Sequence, residues 1–147
     1  MRTIKIDLNC DVGEGMPNEK ELFPYLSSCS IACGGHYGDA ISMQQTIVLA
    51  KQNNVKIGAH PSYPDKENFG RKSITISTED LIKSIKFQLI NFVAVAKSED
   101  VKIHHIKPHG ALYNNVAKDF RLAEVFLHSI EKYKNEAYLY VPYASVI

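Results

Sequence analysis

Excess charge of either sign is missing from this sequence: 17 Lys and Arg face 16 Asp and Glu, for a formal net charge of +1. A chain so nearly neutral carries no basic field for nucleic acid or an anionic membrane, and a small molecule is the expected ligand. Long hydrophobic runs are missing too. No stretch of about 18 apolar residues could span a bilayer, and Met1 leads into a strand pattern without the basic segment and apolar run of a secretory leader. A cytoplasmic location is expected. Cysteine is scarce: Cys10, Cys29 and Cys33 are odd in number, and three residues separate the nearer two, unlike the Cys-x-x-Cys of zinc and redox sites. They read as small buried hydrophobes. Repeats, low-complexity tracts and charged tails are absent, so one domain over residues 1–147 is expected. The phosphate-cradling patterns Gly-x-x-x-x-Gly-Lys-Ser/Thr and Gly-x-Gly-x-x-Gly are absent as well, so a nucleotide would need binding groups from elsewhere.

What the sequence does contain is a recurring unit. Five apolar stretches with strand character each run into polar residues: Ile6 to Asp11, Ile31 to His36, Ile57 to Pro61, His105 to Gly110 and Tyr138 to Tyr143. Helical patterns lie between them. Asp39 stands where an N-cap is needed for a helix over Ala40 to Asn53. Ser77-Thr78-Glu79-Asp80 resembles a capping box ahead of Leu81, Ile85, Leu89, Phe92 and Ala96, which form a core-facing stripe. A third stripe runs from Leu122 to Ile130, and a short helix over Asn18 to Leu26 is broken or ended by Pro24. Alternating strands and helices predict an α/β fold with a parallel sheet, which gathers its polar strand ends on one face. The loop from Pro61 to Ser73 is rich enough in specific side chains to close over a ligand.

Strand periodicity sorts the polar residues by depth. Asp7, Asn9 and Asp11 share one face of the first strand, and His105, Lys107 and His109 share one face of the fourth. Asp11, His36, His60 and His109 form the expected mouth layer, with Asn9 and Lys107 one layer deeper and Asp7 deeper still. Same-face residues are about 6.6 Å apart, so Asp7 and Asp11, about 13 Å apart, cannot act as a carboxylate pair. A charged Lys107 in such a lumen needs an acidic partner, and Asp7 or an anionic substrate group would serve. Arg71 is either a solvated charge or a bidentate clamp for a carboxylate. One reading of the cluster is a metal-dependent deacetylase or amidohydrolase, with Asp11, His36, His60 and His109 as ligands.

The runs Ile6-Asp7-Leu8-Asn9-Cys10-Asp11-Val12-Gly13-Glu14-Gly15, Ile31-Ala32-Cys33-Gly34-Gly35-His36-Tyr37-Gly38-Asp39, Gly58-Ala59-His60-Pro61-Ser62-Tyr63-Pro64-Asp65 and Lys107-Pro108-His109-Gly110-Ala111-Leu112-Tyr113-Asn114 resemble the LamB/YcsF family, the A component of bacterial ATP-dependent 5-oxoprolinase. Phe69-Gly70-Arg71 adds to the likeness, while Gly35, Tyr37 and Lys72 depart from the usual pattern. The resemblance implies a distorted parallel β/α (TIM-like) barrel of the polysaccharide-deacetylase type. Members of the family run to about 250 residues, as closed barrels do, so the chain is expected to hold only the amino-terminal five or so strands and to stop short at its carboxyl end. Implied with it are ring opening of 5-oxo-L-proline to L-glutamate, ATP acting through the complex, and the B and C subunits of 5-oxoprolinase as partners. In that setting Asp11, His60, Lys107 and His109 are the expected catalytic groups. Asp11 or His60 would act as base, His109 as acid and Lys107 as the stabiliser of negative charge. Asp7, Asn9, His36, Asp39 and Arg71 would position the substrate. The alternative within this resemblance is a lactam-binding component without catalysis.

Overall fold

The computed structural model describes residues 6–147, and its centre is a parallel sheet of five strands in sequential order. The strands are β1 (Asn9–Val12), β2 (Ser28–Ala32), β3 (Lys56–His60), β4 (Ile103–Ile106) and β5 (Tyr138–Leu139). Between them lie α1 (Glu19–Leu22), α2 (Ala40–Gln52), α3 (Thr78–Ser98), α4 (Gly110–Val116) and α5 (Phe120–Ile130). Single 3₁₀ turns at Phe23–Tyr25 and Glu131–Tyr133 extend α1 and α5. The expected strands are present with shifted limits. β1 begins at Asn9 rather than Ile6, and β5 stops at Leu139. β2 lies earlier than expected, which leaves Cys33 to His36 in the loop beyond it. The polar tip of the fourth strand becomes an extended segment still joined to β3, because Lys107 N donates to Ala59 O at 2.9 Å and His109 N to Pro61 O at 2.9 Å. Helix α4 comes directly after it and is not foreshadowed in the sequence pattern, since seven residues are too few to show a periodic stripe.

Alternation along the strands separates two environments. Val12, Cys29, Ile31, Ile57, Ala59 and Ile106 are buried on the helix-covered face. Against them α3 lays Leu81, Ile85, Leu89, Phe92 and Ala96, the stripe expected from the spacing. Each large apolar side chain among these contributes roughly 1.5–3 kcal/mol by leaving water. Burial also pushes the thiols of Cys29 and Cys33 up to about 12, so both are inert apolar groups. No helix among the described residues is long and apolar enough to cross a membrane.

The opposite face carries the polar set. Register pairs Asp11 with Ser30, Ser30 with Gly58, and Gly58 with His105. This row is possible because Gly58 has no side chain: a Cβ there would lie 2.3 Å from His105 Cδ2. Beneath it Ser28 Oγ donates to Asp7 Oδ1 at 2.6 Å, and Asn9 Nδ2 donates to Ser28 Oγ at 2.8 Å. Tyr140 stacks on His105 with ring centroids 4.2 Å apart, and its hydroxyl donates to Asp7 Oδ2 at 3.3 Å. The sheet is therefore curved enough for the segment after β5 to reach the segment before β1.

Candidate active site

Groups remote in sequence meet at the carboxyl ends of the strands. Asp11 sits in β1, His60 closes β3, and Lys107 and His109 lie just past β4. Lys107 Nζ donates to Asp11 Oδ1 at 2.8 Å, so the acidic partner of the lysine is Asp11 and not Asp7. Asp7 is instead held by Ser28 and Tyr140 in the layer beneath, a separation that follows from the strand rise. Asp11 Oδ2 lies 3.3 Å from His60 Nε2, and His60 Nε2 lies 3.0 Å from His109 Nδ1. His36 stacks on His109 with ring centroids 3.5 Å apart, and Glu14 Oε1 lies 2.8 Å from His36 Nε2 and 3.4 Å from His109 Nδ1.

The cluster is graded in exposure. Asp11 and Lys107 keep 36% and 22% of their side-chain surface, whereas His36, His60 and His109 are buried. A ligand arriving at the mouth meets the ion pair first. Burial works to raise the pKa of Asp11, but the adjoining His60 ring and the Lys107 ammonium outweigh it and hold the carboxyl well below its usual range. For Glu14, too, burial is outweighed, here chiefly by the hydrogen bond to His36, and its pKa is lowered. Burial acts the other way on the rings, lowering the pKa of His36 and taking that of His109 to about 4.

Each ring is oriented by a backbone carbonyl or a carboxylate. His60 Nδ1 donates to Lys107 O at 2.6 Å, and His109 Nε2 donates to Phe69 O at 2.8 Å. Phe69 occupies φ 55, an uncommon conformation for a bulky residue, and this turn aims its carbonyl at His109. The loop over Pro61 to Ser73 thus lies against the cluster. It is secured from the helix side by Gln88, whose amide donates to Ser62 O at 2.9 Å and accepts from Ser62 N at 3.0 Å.

Not every expected residue joins the group. Asp39 is exposed, and its carboxylate accepts from Ser42 N at 2.9 Å in a capping box at the start of α2. That placement gives it a helix-capping contact, apart from the acid–histidine cluster. Arg71 is at the rim, its guanidinium 5.1 Å from the centre of the Phe69 ring. Asn9 lies in the deeper layer, donating to His105 Nε2 at 3.2 Å. Glu14 is a member of the cluster that the strand pattern does not single out. Its one sequence signal is the pair of flanking glycines, Gly13 and Gly15, whose positive φ values turn the chain back over the strand end. The larger clefts, about 670 Å³ beside β5 and α5 and about 680 Å³ between α2 and α3, lie elsewhere. Neither contains one of the two acid–histidine clusters found among the described residues, so chemistry rather than volume marks the mouth as the site.

Known proteins of the same design bear on this arrangement. The chain is 46% identical over 129 residues to the 5-oxoprolinase A component of Haemophilus influenzae (strain PittEE), a match covering 88% of this chain and 53% of that protein. It is 43% identical over 132 residues to the corresponding 5-oxoprolinase component of Pyrococcus abyssi, covering 86% and 52%. The chain spans about half the length of the curated relatives it matches. The crystal structure of a lactam utilization protein from Thermus thermophilus superposes with a TM-score of 0.92 at 34% identity, over 97% of this chain and 60% of that one. The family model for LamB/YcsF matches residues 6–147, the whole of the segment whose fold is described above, and the chain belongs to the LamB/YcsF family.

Proposed function

We propose that this chain acts within an ATP-dependent 5-oxoprolinase, as part of its A component, in the hydrolytic opening of 5-oxo-L-proline to L-glutamate. The observation that carries the reading is the Asp11–Lys107 ion pair, open to solvent above buried His60, His109 and His36 and half-buried Glu14. The names of the relatives supply the substrate class and the multi-component setting. The lactam carbonyl oxygen is placed at Lys107, whose ammonium stabilises negative charge as water adds to the carbonyl carbon. Asp11 accepts a proton from that water. Its basicity rises as Lys107 turns from the carboxylate towards the substrate oxygen, and it returns the proton to the ring nitrogen as the C–N bond breaks. His109, expected as the acid, has its ring N–H committed to Phe69 O, so His60 and His109 act as positioning residues for Asp11. Arg71 at the rim is the group for the substrate carboxylate.

Opening a five-membered lactam is uphill because the product recloses readily, which is the chemical reason for coupling to ATP. Phosphorylation of the amide oxygen by ATP would make the carbonyl carbon more electrophilic. Departure of the ring nitrogen after water adds would leave an acyl phosphate, and its hydrolysis by a second water, releasing phosphate, would keep the ring from reclosing. With no phosphate-cradling motif in this sequence, nucleotide handling is shared with, or left to, the partner subunits. The test is glutamate formation by the complete complex carrying Lys107→Met or Asp11→Asn. The expected loss in kcat is on the order of 10²–10³-fold with folding intact, and near-normal turnover in either variant refutes the assignment.

A further inference from the structure

The hydrogen bonds around His60 and His109 fix where their protons sit. A backbone carbonyl only accepts, so the contact to Lys107 O places the His60 proton on Nδ1, and the contact to Phe69 O places the His109 proton on Nε2. In the neutral rings the two remaining nitrogens, His60 Nε2 and His109 Nδ1, then face each other at 3.0 Å as lone pairs. Asp11 Oδ2 stands 3.3 Å from the first and Glu14 Oε1 3.4 Å from the second, and a carboxylate oxygen brings no proton either. Four acceptors thus converge with no donor among them, an arrangement that requires a positive centre.

We propose that Asp11 Oδ2, His60 Nε2 and His109 Nδ1 bind a divalent transition-metal cation of the zinc class, with Glu14 Oε1 beside them as a further oxygen donor. The three ligand atoms lie within 4.8 Å of one another. Metal–ligand bonds of about 2.0–2.1 Å give ligand–ligand edges of about 2.8–3.4 Å between octahedral and tetrahedral geometry, and the observed 3.0 and 3.3 Å fall in that interval. The surroundings match as well. A metal-binding imidazole commonly donates its other N–H to a carbonyl or carboxylate, which fixes the tautomer, and both rings do so here through Lys107 O and Phe69 O. Lys107 holds the second oxygen of Asp11 at 2.8 Å, leaving Oδ2 free to point at the histidines. Two imidazoles with carboxylate favour a transition metal over magnesium or calcium, which prefer all-oxygen shells. His36 is not among the three. Its Nε2 faces Glu14 at 2.8 Å and its buried Nδ1 has no partner, so it orients Glu14.

The inference stands on this geometry and not on the lactam reaction, and its test needs neither substrate nor ATP. The chain is stripped with chelator, dialysed and titrated with Co²⁺ while visible absorption and calorimetry are recorded. One equivalent should bind with ligand-field bands. Asp11→Asn and His109→Gln should each weaken binding about 100-fold or more, while His128→Gln, on an exposed ring, should leave it unchanged. Should a variant fail to fold by circular dichroism, the unsubstituted protein still decides: its Co²⁺ form should show two exchangeable, paramagnetically shifted imidazole N–H resonances, from His60 Nδ1 and His109 Nε2. Absence of stoichiometric binding, binding unaltered in folded variants, or bound Co²⁺ without those two resonances overturns the proposal. The first of these outcomes would leave an imidazolium proton as the positive centre.

Discussion

Single residues decide how deep the polar face can be. Gly58 is the clearest case, because the His105 ring occupies the volume its side chain would fill. His105 is wholly buried, and its Nε2 takes the Asn9 amide proton at 3.2 Å. Gly58→Ala should therefore displace the ring and cost about 2–3 kcal/mol, read as a lower urea midpoint at unchanged slope. An unaltered midpoint would show that the ring relocates freely. At this scale the sequence is partly legible. Asp11, His60, Lys107 and His109 stand out because charged and imidazole side chains at strand ends need partners. Which acid serves Lys107 is not legible, since Asp7 and Asp11 share a face and only the stagger between β1 and β4 chooses between them. Glu14 is obscured for a related reason: it lies beyond β1, where period two no longer says which way a side chain points.

Elements show where pattern reading succeeds and where it stops. Helices α2 and α3 are legible because their caps and stripes are local, and Ser77 accepts from Asp80 N at 3.1 Å as its spacing suggests. Asp39→Ala should remove the capping box of α2 and destabilise the fold by about 1 kcal/mol, measurable by chemical denaturation. No change would mean that Ser42 alone satisfies the helix start. The irregularity in β4 is not legible. Its pairing with β3 skips His104, for Ile57 faces Ile103 while Gly58 faces His105. A bulge of this kind adds a residue to one strand and re-aims the side chains beyond it. Here it brings His104 Nδ1 within 3.2 Å of His105 Nδ1, two neighbours that strict alternation would send to opposite faces. Bulges arise from pairing between strands, and no single-strand pattern contains that information.

For the whole molecule, burial of several imidazoles in one face predicts a response to acid. Burial takes the pKa of His105 to about 4 and that of His109 to about 4, and it also lowers that of His36. In the unfolded chain these rings titrate near 6.5. Below that value the unfolded state binds more protons than the folded one, so stability is complete above about pH 6.5 and declines as pH falls towards about 4. For His105 alone the loss between about pH 7 and pH 5 is on the order of 2 kcal/mol. Urea midpoints across that interval should fall, and His105→Gln should flatten the fall. A level profile in the unsubstituted protein would mean that the buried rings gain their protons without cost. The overall architecture is legible because five repeated units require a parallel sheet. The curvature that brings Tyr140 to Asp7 is not, because it depends on twist accumulated across all five strands.

Ser28, Ser30 and His105 fill a layer with no exposed surface directly below Asp11 and Lys107. A ligand at the ion pair therefore meets packed side chains on the sheet side, and it arrives and departs on the solvent side of Asp11 and Lys107. Under the role proposed for Arg71, a product that keeps its precursor's carboxylate would compete for the same guanidinium, so turnover should slow as product accumulates even while starting material is plentiful.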